Sequence, residues 1–231
     1  AYEPLVKAAL GRRHMINLDM AVIRASWMRS MAGRDNRLMD GQLLGHTINS
    51  ASFFASSNLI LIAAAAGVLF GGEAAFRSAS SLIVIKTSSR LLFELQLALV
   101  LVTLARGLLD FIWAIRQLNY TVAVVGAAPG GEWGPTQEAF GAAAGRLLNP
   151  ALSSFNAGVR GYYFALAAAS WIFGSTAFII ATISAMLLLA WRQRASAAAR
   201  AIAELRQVVE SAEAQAPARG PADPTQVRSA E

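Results

Sequence analysis

Five of the seven polar side chains in the largely apolar stretch between residues 91 and 117 share one side of the predicted helix. On a helix that turns 100° per residue, they fall within an arc of about 80°. An arginine near the middle of a membrane span costs about 3 kcal/mol on insertion scales unless it is paired. An aspartate four residues after the arginine lies within reach of it. We call the set the polar stripe; its members are Gln96, Thr103, Arg106, Asp110 and Gln117.

The polar stripe is compatible with two kinds of function. It would line a proton or ion path if it faced water, or it would form a structural pair satisfied between helices or between subunits. Transporters usually carry several such stripes or have spans broken by Pro and Gly. The other spans of this chain contain no charged residue. The sequence therefore favours a structural role for Arg106 and Asp110, with conduction as the alternative.

Other residue types that carry chemistry occur singly. His46, just before the first span, could ligate a haem or a chlorin, but a lone imidazole is more often simply hydrogen-bonded. Asp40 and Glu94 could serve a lipid-active enzyme near the headgroups, yet neither has a visible partner base or metal. No nucleophile elbow, metal spacing or phosphate-binding loop occurs, and the chain has no cysteine. We expect no enzymatic activity, no cofactor and no metal.

The composition indicates a membrane protein. Of 231 residues, 55% are hydrophobic and 15% are charged, whereas soluble domains have about 25% charged residues. Long apolar runs predict an all-α, polytopic protein with three visible spans at about 48–70, 91–115 and 165–191. The last run lacks charge from residue 161 to 191 and would extend roughly 46 Å as one helix. It must therefore protrude and tilt, or bend near Gly174; two separate crossings are not expected, because no polar turn divides it.

The flanking segments are polar and basic. Residues 1–46 form a basic amphipathic segment, 47–195 the transmembrane domain, and 196–231 a polar helix with a disordered tail. A helix over residues 17–31 would lie at the headgroups or pack on the rest of the protein. The apolar patch at 81–86 is too short to cross, and helix breaks are expected after residue 125 and near Pro150.

The net charge of +6 fits membrane lipids with anionic headgroups, and we expect no nucleic-acid partner. A multi-pass location in the inner (plasma) membrane follows from the three spans. With three crossings, the two sides carry ten and nine Lys/Arg residues, so the positive-inside rule does not decide the orientation.

The first span carries a strip of small residues at four-residue spacing. Such strips let another helix approach closely. We predict helix packing there, favouring packing within the chain over dimerisation. The strip comprises Ser52, Ser56, Ala63, Gly67 and Gly71.

Two stretches carry a family resemblance. "IRASWMRSMAGRDNRLMDGQLLGHTINSASFFASSNLIL" and the more specific "SSFNAGVRGYYFALAAASW" resemble the domain of unknown function 599 family of bacterial membrane proteins. The resemblance covers nearly all of residues 15–195, although Gly45 and His46 stand where the family often has an arginine. It implies a helical inner-membrane protein with a fourth span upstream of residue 1. The family has no assigned reaction, so no catalytic residues carry over.

Together these observations predict a non-enzymatic accessory or structural component that packs against itself or other membrane-protein subunits. The alternative is a small transporter or channel that uses the polar stripe.

Overall fold

The computed structural model describes residues 16–87, 89–131 and 133–215, and in these ranges the regular structure is entirely helical, which confirms the all-α prediction. The expected upstream span, the first fifteen residues and the tail after residue 215 lie outside the described residues. The described ranges contain seven α-helices and one 3-10 turn, in chain order α1 Ile16–Ala32, α2 Leu38–Phe70, α3 Gly72–Ser80, α4 Arg90–Ala127, α5 Pro135–Ala169, the 3-10 turn Ser170–Phe173, α6 Ser175–Arg194 and α7 Ala197–Gln215.

Three stretches of the described residues are long and apolar enough to cross a membrane: Leu38–Phe70, Arg90–Ala127 and Ser175–Gln215, the last combining α6 and α7. Only 6% of the most apolar window of α2 is buried within the protein. Its apolar side chains therefore face outwards, as lipid contact requires. With 33 and 38 residues, α2 and α4 would be roughly 50 and 57 Å long at 1.5 Å per residue. Both exceed a hydrocarbon core of about 30 Å, so their ends project beyond it.

The predicted third span at 165–191 needs correction. Residues 165–169 belong to α5, and α6 begins only at Ser175, after a 3-10 turn and Gly174. Gly174 has φ +113°, a conformation that side chains with a Cβ rarely adopt. Arg192 Nη1 donates to Tyr163 Oη at 2.6 Å, so residues on either side of the turn meet and the chain has doubled back. The expected bend near Gly174 is therefore a reversal, made without a polar turn.

The predicted break near Pro150 is wrong. α5 continues through Pro150 to Ala169, although a proline inside a helix costs about 3 kcal/mol. Contacts along the length of α5 stabilise the helix. α4 contacts α5 and the turn after it from Gln96 to beyond Leu118, and α1 covers the first half of α5. α4 likewise runs past the end of its predicted span at residue 115, and Ala127 ends it before the Gly/Pro-rich loop.

Beyond the apolar parts of α2 and α4, the helices form a second bundle with its own core. Met28 and Met31 of α1 pack there with Leu44, Leu118 and Leu148. All five side chains are almost completely buried. The α1 helix is therefore packed on the protein, which was one of its two predicted positions. α7 lies against α1, joined by the pairs Arg206–Asp19 and Arg29–Glu213.

The apolar patch after α3 forms a loop. Leu82, Ile83 and Val84 are exposed, Ile83 almost completely. The loop contacts the turn before α6: the Lys86 backbone N–H donates to Ile172 O at 3.1 Å. Ser89 then caps α4 by accepting a hydrogen bond from the Leu92 N–H at 3.3 Å.

Candidate functional site

The polar stripe on α4 does not line one surface. The helix buries the side that carries Leu104, Gly107 and Phe111 against α2 and α5. The members of the stripe lie at the edge of that buried side and beyond it. Gln96 is 2% exposed, whereas the Arg106 side chain is 73% exposed. The five residues therefore have different surroundings and must be considered separately.

Gln96 holds the two connections at its end of the bundle together. Its Oε1 accepts a hydrogen bond from Thr87 Oγ1 at 2.8 Å, and its Nε2 donates to Trp171 O at 3.1 Å. Both bonds join buried or half-buried groups, where a lost partner is costly. Gln96 thus fixes the loop before α4 and the turn before α6 to the same point.

Thr103 and Gln117 make no contact with Arg106 or Asp110. Thr103 Oγ1 donates to the Leu99 carbonyl of its own helix at 2.8 Å, a common way for a threonine in an apolar helix to satisfy its hydroxyl. The buried Oε1 of Gln117 has no hydrogen-bond partner within the described ranges. Neither residue extends a continuous polar path along α4.

Arg106 and Asp110 form the predicted pair on the outer surface. Arg106 Nε lies 3.2 Å from Asp110 Oδ2, and Nη2 lies 3.3 Å from Oδ1. Around them the exposed side chains are apolar: Val102, Leu109 and Trp113. An ion pair therefore sits in the middle of an apolar surface, directed away from the core of the chain.

Most of the small-residue strip on α2 does not pack within the chain, which corrects that expectation; the exception is Gly71, at which an added Cβ would lie 2.9 Å from Ala75 Cβ of α3. Ser56, Ala63, Gly67 and Gly71 are exposed and Ser52 is half-buried. A Cβ added to Gly67 would meet nothing within 4 Å. Because the helix turns its Ala51, Ala55 and Asn58 inwards, the strip lies on another side of α2.

The close helix contact lies instead between α4 and α5. A Cβ on Gly161 would be 3.4 Å from Gly107 Cα, and one on Gly158 would be 2.7 Å from the ring of Phe111. Glycines allow the two backbones to approach where larger side chains would separate them. Sequence inspection missed this contact because the glycines are spread over two helices. The spacing of Gly158 and Gly161 on α5 was the available signal.

Asn58 of α2 packs beside this contact between α4 and α5. Its Nδ2 donates to the Leu104 carbonyl at 2.8 Å, and Asn58 is 1% exposed. Beside it, Tyr162 Oη donates to the Phe54 carbonyl at 2.7 Å. Phe54, Phe111, Phe155 and Tyr162 form an aromatic cluster whose contacting rings have centroids 5.7–6.0 Å apart. The polar groups of Asn58 and Tyr162 are thus used in contacts between helices.

Asp40 is completely buried where α1 meets α2. Its Oδ1 accepts hydrogen bonds from Trp27 Nε1 at 2.6 Å and from Arg34 Nη1 at 2.5 Å, while Oδ2 has no partner among the described residues. Arg37 closes the neighbouring end of α1 by donating to the Met31, Ala32, Ala128 and Pro129 carbonyls. These contacts fix α1 to α2 and to the loop after α4.

A second polar contact holds α1 on α5. Asn149 Nδ2 donates to the Ala21 carbonyl at 3.1 Å, and Asn156 Nδ2 donates to Asn17 Oδ1 at 3.1 Å. Arg24 is half-buried on α1, and its Nε has no hydrogen-bond partner within the described ranges. Burial lowers the pKa of the Arg24 guanidinium from its ordinary value. The second bundle therefore contains a cation surrounded mainly by protein.

The remaining candidates form no joint site. His46 is exposed on α2. Glu94 pairs with Arg90 one turn away, at 2.7 Å. Across the described ranges, no three His, Asp or Glu side chains come together as a possible metal site.

Comparison with known proteins places the chain in a family. No curated protein and no solved structure matches it significantly. The family model described as "Protein of unknown function, DUF599" matches residues 1–198, most of the 231-residue chain. The chain therefore belongs to the DUF599 family, as the motifs around Asp40 and Asn156 indicated.

Proposed function

We propose that this protein is a non-enzymatic accessory or structural component of the inner membrane that binds a neighbouring membrane protein through the outer face of α4. The outer face is defined by Val102, Arg106, Leu109, Asp110 and Trp113. A second copy of the chain is the partner we favour. Membrane lipids surround the remaining apolar surface.

The observation that carries the proposal is the ion pair between Arg106, whose side chain is 73% exposed, and Asp110, whose side chain is 20% exposed. Arg106 stands near the middle of the apolar part of α4, where an unpaired arginine costs about 3 kcal/mol on insertion scales. Its one ion-pair partner among the described residues, Asp110, is on the same helix. Lipid would leave much of the guanidinium without hydrogen-bond acceptors. A protein surface that supplies a carboxylate at this depth would remove that cost.

A second copy supplies such a surface. The outer face carries one cation and one anion one turn apart, so it is complementary to itself. A two-fold axis along the membrane normal places equivalent residues at equal depth, so Arg106 of each copy must reach along the helix to pair with Asp110 of the other. The four-residue offset amounts to roughly 6 Å of depth at 1.5 Å per residue. An extended arginine side chain covers such a distance.

The conduction alternative has less support. A path along the polar stripe requires its members to face one water-filled space. Gln96 bonds within the core, Thr103 bonds its own helix and Arg106 faces outwards. This divergence favours an architectural role for the pair.

The proposal is tested by measuring the mass of the purified protein in mild detergent and in lipid nanodiscs. We expect a stable dimer or larger assembly at concentrations at which a matched double variant, Arg106→Leu with Asp110→Leu, shifts towards monomer. A strictly monomeric wild-type protein in both media would contradict the proposal.

A further inference from the structure

The helices α4 and α5 run side by side for most of their length in opposite directions. Gln96 contacts Trp171, Gly107 approaches Gly161, and Phe111 packs on Gly158. Helices rise equally per residue. Whatever depth residues 96–114 of α4 occupy, residues 155–171 of α5 therefore occupy as well.

This pairing changes the number of crossings. If α4 spans the membrane, the second half of α5 spans it too, although its hydropathy is lowered by Arg160 and two glycines. The reversal at Gly174 then returns the chain through α6, whose 20 residues would cover about 30 Å. Hydropathy alone merges the two crossings into one run, because the turn between them is apolar.

Side chains that are typical of the membrane interface occur near the same boundary on both α4 and α6. Trp113 of α4 and Trp191 of α6 are 51% and 56% exposed. Arg116 Nε donates to Tyr120 Oη at 2.6 Å, close to Trp113. Arg192, next to Trp191, is exposed, and its side chain extends towards the interior of the bundle to donate to Tyr163 of α5. Tryptophan, tyrosine and arginine concentrate at the headgroup level. The end of α6 is thus at the same boundary as the exit of α4.

With four crossings the basic residues become strongly asymmetric. Among described residues, the side with α1, the start of α5 and α7 has ten arginines in 16–46, 116–154 and 192–215. The opposite side has three basic residues in 71–90: Arg77, Lys86 and Arg90. Three crossings would have divided the same thirteen residues six to seven. An excess of this size sets orientation, because cytoplasmic leaflets are anionic and retain Lys and Arg.

We infer that the described residues cross the membrane four times, with residues 155–173 as the additional crossing, and that the arginine-rich side rests on the anionic headgroups of the cytoplasmic leaflet. The second bundle of α1, α7 and the projecting ends of α2, α4 and α5 then lies in the cytoplasm, and the 81–85 loop lies on the opposite surface. The inference requires a membrane location but not self-association.

Thiol labelling tests the inference directly, because the natural chain has no cysteine. Three exposed positions serve: Ser81 in the loop, Ala143 on the first half of α5 and Ser211 on α7. Each is replaced by Cys in a separate full-length chain expressed in a bacterial inner membrane. A membrane-impermeant maleimide is applied to spheroplasts and to inverted vesicles. The unsubstituted chain is the blank, and unchanged elution in detergent shows that each variant folds.

The expected pattern separates the possible topologies. Ser81→Cys should label in spheroplasts, and both Ala143→Cys and Ser211→Cys in inverted vesicles, with on the order of 10-fold preference, because the hydrocarbon core excludes a charged reagent. If Ser211→Cys labels from the same side as Ser81→Cys, the fourth crossing is refuted. If all three positions label from the sides opposite to those expected, the crossing stands and the cytoplasmic orientation is refuted.

Discussion

Exchanging the charges of the Arg106–Asp110 pair gives the sharpest test of self-association. In the proposed dimer each copy contributes one arginine and one aspartate, so two ion pairs join the copies. Arg106→Asp leaves four carboxylates at the interface, and Asp110→Arg leaves four guanidinium groups. Either variant alone should therefore dissociate, whereas the two variants expressed together should form a heterodimer.

The expected loss of association free energy in the single variants can be bounded. Two unit charges 4 Å apart interact by about 4 kcal/mol at an effective dielectric constant near 20. Desolvation and partners available in the separated state reduce this, and measured polar contacts between membrane helices contribute about 0.6–2 kcal/mol each. Two contacts would contribute on the order of 1–4 kcal/mol. Since 1.4 kcal/mol is a factor of ten in Kd, we expect roughly 5- to 700-fold weaker association.

The assay is light scattering coupled to size-exclusion chromatography in mild detergent, with two affinity tags to detect the heterodimer. Arg116→Asp is the matched control, because it makes the same change on the same helix, at an exposed site bonded to Tyr120 and outside the outer face of α4. It should leave the mass unchanged. Self-association that survives both single exchanges, or that fails to return in the mixture, would refute the reasoning.

Two further predictions concern the packing of the helices. Gly158→Ala should lower the free energy of unfolding by about 1–3 kcal/mol, because the new methyl meets the buried ring of Phe111 at 2.7 Å; the same change at Gly67, which has open space, should cause no loss in thermal unfolding in detergent. Equal effects at the two glycines would argue against the α4–α5 contact. Arg206→Gln should release α7, because Asp19 is 2% exposed and loses a cation 2.9 Å away, a cost on the order of 3 kcal/mol. Limited proteolysis should then cut before α7 much faster than in the wild type, and an unchanged cleavage rate would contradict this role.

The pair on α4 illustrates how far sequence reasoning reached. A four-residue spacing on a helix brings Arg106 and Asp110 together whatever surrounds them, and the structure pairs them. Which way the pair faces depends on the packing of α2 and α5 against the opposite side of α4. The strip around Gly67 shows the same limit: its spacing is local, but its exposure follows from Ala51, Ala55 and Asn58 taking the inward side.

The sequence by itself determined the helical class, the long apolar helices, the family and the contacts within single helices. These depend on composition and on spacings of three or four residues, which act locally. Only the tertiary structure decided that α5 continues through Pro150, that the chain reverses at an apolar turn, and that Gly107 meets Gly161. Each of these depends on residues far apart in the chain. The packing energy of neighbouring helices offsets the cost of a proline or a tight turn. Local sequence patterns do not show this packing energy.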